Sequence, residues 1–328
     1  MAVVAGIDEA GLGPLLGPLT MGVAAFRVPE QRVGTDLWRE LAPAVSATRP
    51  KDERLWVADS KQVYDRSARG MARLESTALA FLAQLDLFGR PPAAPGALLA
   101  AGPGSFPSDQ ERLADHPWYD CLPASLPVAS APSLLQRQSE RLREVLDRQG
   151  IHLVQAGLRL IPAAQLNDSF DATLSKSRTA WDQVARALRG LWEAHGEEGI
   201  LSWVDRQGAR KRYAGLISEL FPEASVRILE ETAQICSYRV HNSTQRMELH
   251  FAVRAEDHAL PVALASCFAK YGRELSMQAF NSYFEALAPE LELRPTAGYV
   301  VDARRWLEDA GPVLKRAALP PRCLVRER

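Results

Sequence analysis

Apolar positions dominate the start of the chain. Residues 2 to 9 read as a buried strand, and Thr20 to Val28 forms a second apolar run. Between them GLGPLLGP carries Gly11, Gly13, Gly17 and two prolines, so two successive strands joined by a turn-rich loop are predicted. Residues 31 to 48 and 64 to 86 have helical spacing, the second through Leu74, Ala78, Phe81, Leu82 and Leu85. From Gly89 to Ser133 the composition shifts to Pro, Ala, Gly and Ser, which predicts an excursion from the core. Leu134 to Gln149 is then a charged amphipathic helix. A second core half is expected from Leu158. It holds a long helix from Asp171 to Ala194, the strand Ile200 to Val204 ending at Asp205, and a strand at Ala224 to Leu229. A hairpin around Asn242-Ser243, a strong helix from Leu260 to Leu287 and a short one from Trp306 to Leu314 follow. Strands alternating with helices predict an α/β protein. The expected division is 1–88 and 158–290 for the two parts of one core, 89–157 for an insertion, and 291–328 for a C-terminal segment.

The chain has 328 residues, 47% hydrophobic and 24% charged, which excludes disorder and low-complexity architectures. Lys and Arg number 39 against 40 Asp and Glu, so any nucleic-acid partner must be held by a local patch rather than a global field. Cys121, Cys236, Cys267 and Cys323 form no CxxC pair, which argues against a disulfide framework or a cysteine zinc site. MAVVAGIDEA lacks the basic n-region of a signal peptide, and the apolar run 91–108 is broken by five prolines and three glycines. A cytoplasmic protein with no membrane segment is expected.

Chemistry concentrates where strands end. Asp8-Glu9 closes the first strand, and adjacent carboxylates there cost desolvation and repulsion unless a cation neutralises them. Mg²⁺ or Mn²⁺ would suit such oxygen donors; a solvated strand end is the plainer alternative. Neighbouring strand residues point to opposite faces, so both reach one ion only where the strand ends or bulges. Asp205 repeats the pattern at the carboxyl end of another strand. Glu274 alone is an ordinary helical carboxylate one turn after Lys270. A dinucleotide fingerprint is rejected, because Pro14 and Pro18 interrupt the glycine spacing and a strand follows. No GxSxG or HExxH occurs, and the six histidines show no ligand spacing. His116-Pro117-Trp118-Tyr119-Asp120 suits either base stacking or a small local core.

Five segments together resemble the ribonuclease HII/HIII family. GIDEAGLGPLLGP (residues 6 to 18) resembles its opening motif, and Asp59-Ser60-Lys61 its DSK motif. Trp203-Val204-Asp205 resembles its apolar strand ending in aspartate, ALASCFAKYGRELSM (263 to 277) its AASxxAKxxRD helix, and Gly298-Tyr299 its late GY motif. The resemblance implies a ribonuclease H-like α/β fold with a mixed five-stranded sheet, helices on both faces and a C-terminal helical region. It implies hydrolysis of the RNA strand of RNA–DNA hybrids with two Mg²⁺ or Mn²⁺ ions held by Asp8, Glu9, Asp205 and Glu274, the last replacing an aspartate. Gly11, Leu12, Gly13, Ser60, Lys61, Arg206 and Tyr299 are the implied substrate contacts. The family's GRG turn is Gly11-Leu12-Gly13 here, which removes a charge used in junction recognition; turn amides still suit 2′-hydroxyls. Its VDG is Val204-Asp205-Arg206. A lapsed enzyme that keeps a hybrid-binding groove is the alternative, and the sequence names no protein partner.

Overall fold

A computed structural model describes residues 1–85, 89–96, 113–317 and 319–327. Most of the predicted excursion's centre, residues 97–112, lies outside the described residues. The strands are β1 (Ala2–Ala10), β2 (Leu19–Val28), β3 (Val45–Ser46), β4 (Leu55–Trp56), β5 (His152–Ile161), β6 (Ile200–Asp205), β7 (Ser225–Glu231), β8 (Ile235–His241) and β9 (Arg246–Ala252). Among the described residues, the main sheet has the order β5-β2-β1-β6-β9-β8-β7. β2 is antiparallel to both of its neighbours, β5 and β1, whereas β6 and β9 run parallel to β1.

The sheet has seven strands rather than the expected five. β7 and β8 add antiparallel to the outer side of β9. Alternation explains this: Cys236, Tyr238 and Val240 are buried, and they extend the core made by Met247, Leu249 and Phe251. The core also resumes earlier than Leu158, since β5 begins at His152 and pairs with β2 along its length.

Among the described residues the helices are α1 (Leu37–Glu40), α2 (Ser60–Val63), α3 (Ala68–Leu82), α4 (Pro132–Gln149), α5 (Ala163–Thr173), α6 (Lys176–His195), α7 (Ala214–Leu220), α8 (Leu260–Leu287), α9 (Val300–Asp309), α10 (Gly311–Ala317) and α11 (Pro321–Leu324). The helix expected over 31–48 shrinks to α1, because Gly34 at φ +82° and Pro43 interrupt it. The one expected over 171–194 divides at Leu174, where Ser175 starts α6 by accepting from the Arg178 N–H. The short C-terminal helix is two, α9 and α10.

Period two on β1 sends Val3, Ala5 and Ile7 into the core beneath α6 and α7, and Val4 into the core shared by α3, α4 and α8. Trp118 joins the latter, stacking edge-on against Phe280 at 5.3 Å, so the aromatic segment 116–120 is local core. The adjoining loop is stapled by buried Glu75, which accepts from the Val128, Ala129 and Ser130 amides and from Tyr271 Oη.

α8 lies directly on the sheet because glycines face it. A Cβ at Gly6 would sit 2.2 Å from Pro261 C, and one at Gly22 would sit 2.0 Å from Ala265 O. These neighbours are helix backbone and cannot rotate aside. Gly22→Ala is therefore expected to destabilise the protein by about 3 kcal/mol or more. The urea midpoint measures it; a value within the scatter of wild type would mean that α8 does not rest on β2.

Candidate active site

Because β1, β6 and β9 are parallel, their carboxyl ends open on one edge of the sheet, where α/β folds place ligands. β1 stops pairing with β6 after Ile7, although it pairs with β2 as far as Ala10. Asp8 and Glu9 thus stand on a strand edge from which β6 has departed. Asp205 closes β6, and the Ala255 N–H donates to its Oδ1 at 3.3 Å. Ala255 opens a short 3-10 turn, Ala255–Asp257, between β9 and α8. This turn carries Glu256 to the end of the third parallel strand. Asp59 caps α2 by accepting from the Lys61 N–H at 2.9 Å.

These groups lie near enough to act on one another through charge. Burial holds the Asp8 carboxyl well above the usual carboxylate range, and Glu9, Asp205 and Glu256 push it further. Glu9 is raised to about 7 by burial and by Asp205, against the pull of Lys61. Asp205 and Glu256 are raised too, each chiefly by burial. Lys61 is the facing cation, its ammonium held above the usual range by Asp59 first and then by Asp8, Glu256 and Asp205.

These raised values have a sign. The folded state keeps protons that the unfolded chain releases, so stability falls as pH rises from about 4 towards 7 and stays lowered above that. Without divalent ions, the urea midpoint is expected to be higher at pH 5 than at pH 8, and Glu9→Gln should flatten that slope. A profile unchanged by Glu9→Gln would mean that Glu9 ionises freely.

The donors are all oxygens and mutually repel, which fits Mg²⁺ or Mn²⁺ in chemistry. Among the described residues, no three Asp, Glu, His or Cys side chains converge tightly enough to hold an ion as they stand. Binding one requires these side chains to turn inward.

Glu274 is not in the cluster. Its Oε2 accepts from Tyr64 Oη at 2.7 Å and its Oε1 from Lys270 Nζ at 2.5 Å. It is an intrahelical ion pair that also fastens α2, and it does not figure among the groups acting on Asp8, Glu9 or Asp205. Glu256, by contrast, adds its charge to Asp8. Parallel strand ends collect ligands, and that rule applied to β9 points to Glu256.

The implied substrate contacts divide. Ser60 is buried, bonded through its amide and hydroxyl to Ser266 Oγ, so it anchors α2 and does not face outward. Arg206 turns its guanidinium onto the Ala233 carbonyl. Lys61 faces the acids. Gly11, at φ +85°, opens the glycine turn immediately after Glu9 and Ala10. A Cβ on it would meet Arg273 Nη1 at 2.7 Å. Gly13 has open space around it, and Leu12 leans on the core beneath α6. The Gly298 carbonyl accepts from the Leu15 and Leu16 amides at 2.7 and 3.1 Å, which docks the Gly298-Tyr299 pair on this turn. Tyr299 is 47% exposed beside it.

An antiparallel β5-β2-β1 unit followed by β6 and β9 parallel to β1, with helices on both faces and a helical C-terminal region, is an α/β arrangement in keeping with the ribonuclease H-like fold that the motif resemblance implies. No protein-family model matches the chain, and no curated protein matches its sequence. Among solved structures it is similar to RNase HII from Archaeoglobus fulgidus, determined in complex with PCNA, with 15% identity, a TM-score of 0.42, and coverage of 99% of this chain and 94% of that one. It is likewise similar to ribonuclease H2 from Pyrococcus horikoshii, at 16% identity and a TM-score of 0.40, covering 98% and 92%. Bst-RNase HIII in complex with Mn²⁺ matches at 15% identity and a TM-score of 0.43, covering 99% and 66%. Activity has to be argued from the site itself.

Proposed function

We propose that this chain is a divalent-cation-dependent nuclease that cuts the RNA strand of RNA–DNA hybrids. The observation that carries the reading is the set Asp8, Glu9, Asp205 and Glu256: four carboxylates gathered at three parallel strand ends, each raised above its usual range. Such crowding of like charge lowers stability, which is the signature of a functional site rather than of packing. The motif resemblance set out above supports the same reading, with Glu256 in place of Glu274.

A divalent ion held by these four residues would supply Lewis acidity at a phosphodiester and an activated water. Two ions per site is the arrangement the resemblance implies. The chain's own groups do the rest. Lys61 balances the charge of an approaching phosphate, held to its task by the Asp59 cap and the Ser60–Ser266 anchor. The glycine turn brings backbone amides to the substrate without side-chain bulk, and 2′-hydroxyls offer those amides a partner that DNA lacks. Tyr299 presents an exposed ring for a sugar or base. Leu12 contributes no charge, so recognition of a single-ribonucleotide junction is expected to be weak.

The test is cleavage of three labelled duplexes with Mg²⁺ or Mn²⁺: a long hybrid, DNA with one embedded ribonucleotide, and DNA alone. The reading predicts metal-dependent cutting of the hybrid and poor cutting at the single ribonucleotide. Cleavage of DNA alone would overturn the substrate assignment, and tight hybrid binding without any cleavage would show a lapsed enzyme.

A further inference from the structure

The glycine turn is held from beneath by the far end of the chain. Arg326, 5% exposed, donates to the carbonyls of Gly11 and Pro14 through Nη1, and to Gly17 through Nε at 2.8 Å and Nη2 at 2.5 Å. Its own N–H donates to Leu15 O, and Val325 bridges Leu16. The tail is itself anchored. Asn167 Nδ2 donates to the Arg322 and Val325 carbonyls, and Asn167 Oδ1 accepts from the Glu327 amide. Arg273, 2% exposed, donates to the carbonyls of Leu16, Pro18 and Ala297.

Two buried guanidiniums therefore lie side by side and repel each other. Their partners in the turn are carbonyl oxygens rather than carboxylates. Fixing those carbonyls also fixes the opposite side of each peptide. In a trans peptide the Leu12 N–H points away from the Gly11 carbonyl. That carbonyl is pinned to Arg326, and the Leu12 amide has no partner among the described residues.

We infer that Arg326 is a positioning residue that aims the Leu12 amide at the substrate, and that the C-terminal tail thereby sets preference for RNA over DNA. The inference rests on the hybrid-cleaving reading above. Leu12 offers no charged side chain, so its amide is the donor this position has, and a donor is useful only when held in direction. The fork shape matters: one guanidinium spans Gly11, Pro14 and Gly17, which an ammonium cannot do.

The experiment measures binding in the Asp8→Asn background, comparing a hybrid with all-DNA duplex of the same sequence. The readout is the ratio of the two dissociation constants, since partial unfolding lowers the active fraction for both and leaves the ratio alone. The Asp8→Asn chain should prefer the hybrid, and adding Arg326→Gln should erase about tenfold of that preference, the worth of one well-aimed hydrogen bond. Arg326→Lys, which keeps the charge and the fold's burial while losing the fork, should erase part of it and serves where the Gln variant does not fold. Arg316→Gln, which alters an exposed arginine paired with Glu290 and outside the tail anchor, should leave the ratio unchanged. An unchanged ratio in folded Arg326 variants overturns the inference and leaves the nuclease reading standing. No hybrid preference in the Asp8→Asn chain overturns the hybrid reading and the inference with it.

Discussion

Glu256→Gln is expected to lower cleavage of an RNA–DNA hybrid by more than about 100-fold, beyond the loss typical of an outer-shell partner, while Glu274→Gln stays within about threefold of wild type. The two residues are separated by 18 positions, Glu256 in the turn before α8 and Glu274 midway along it. Glu256 lies at the end of β9 and adds its charge to Asp8, whereas Glu274 is already satisfied by Lys270 and Tyr64. Removing Glu274's charge leaves Lys270 without its partner in a pair largely shielded from water, so a loss of stability is expected beside the retained activity. Steady-state rates with Mn²⁺, beside thermal unfolding of both variants, separate these effects. A collapse of activity in folded Glu274→Gln with Glu256→Gln intact would move the site towards the middle of α8.

Asp8→Asn is expected to act in opposite directions on activity and stability. Cleavage should fall by more than about 100-fold, since Asp8 is buried and feels the other three donors through charge. Metal-free stability at pH 8 should instead rise by about 1–3 kcal/mol, because the folded state no longer holds a desolvated carboxylate among like charges. The local bond survives: the amide of Glu9 donates to Asp8 Oδ1 at 2.7 Å, and an asparagine oxygen accepts equally well. Wild type should recover the missing stability when Mn²⁺ is added at pH 8, and the variant should recover less. Chemical denaturation with and without the ion reads both quantities. An Asp8→Asn chain that is less stable than wild type without metal would show that Asp8 is a packing residue.

Much of this molecule is legible in the sequence where the periodicity is local. α8 begins and ends where the apolar pattern does, with Pro261 in its first turn, and the hairpin turns at Asn242-Ser243. Asp8, Glu9 and Asp205 are visible because each interrupts an apolar strand at its end. Glu256 is not, because it sits in a short polar turn whose importance comes from β9 being parallel to β1 and β6, a property of topology. Glu274 is different: its own spacing reads as an ordinary helical carboxylate one turn after Lys270, which is what the structure has, and only the motif resemblance made it a ligand. The seven-stranded sheet is half legible. The strands β7 and β8 are readable one by one, but their addition to β9 depends on which face of the hairpin meets the core. Arg326 carries no local signal at all, since its partners lie more than 300 residues away.

The central claim is that Asp8, Glu9, Asp205 and Glu256 form one divalent-cation centre. The most direct measurement is the anomalous scattering of Mn²⁺ in crystals grown or soaked with the ion at pH 8. Manganese bound among these four carboxylates, at the carboxyl ends of β1, β6 and β9, is the predicted result. Manganese at Glu274, or a fully ordered cluster that stays empty at an ion concentration supporting cleavage, would contradict it.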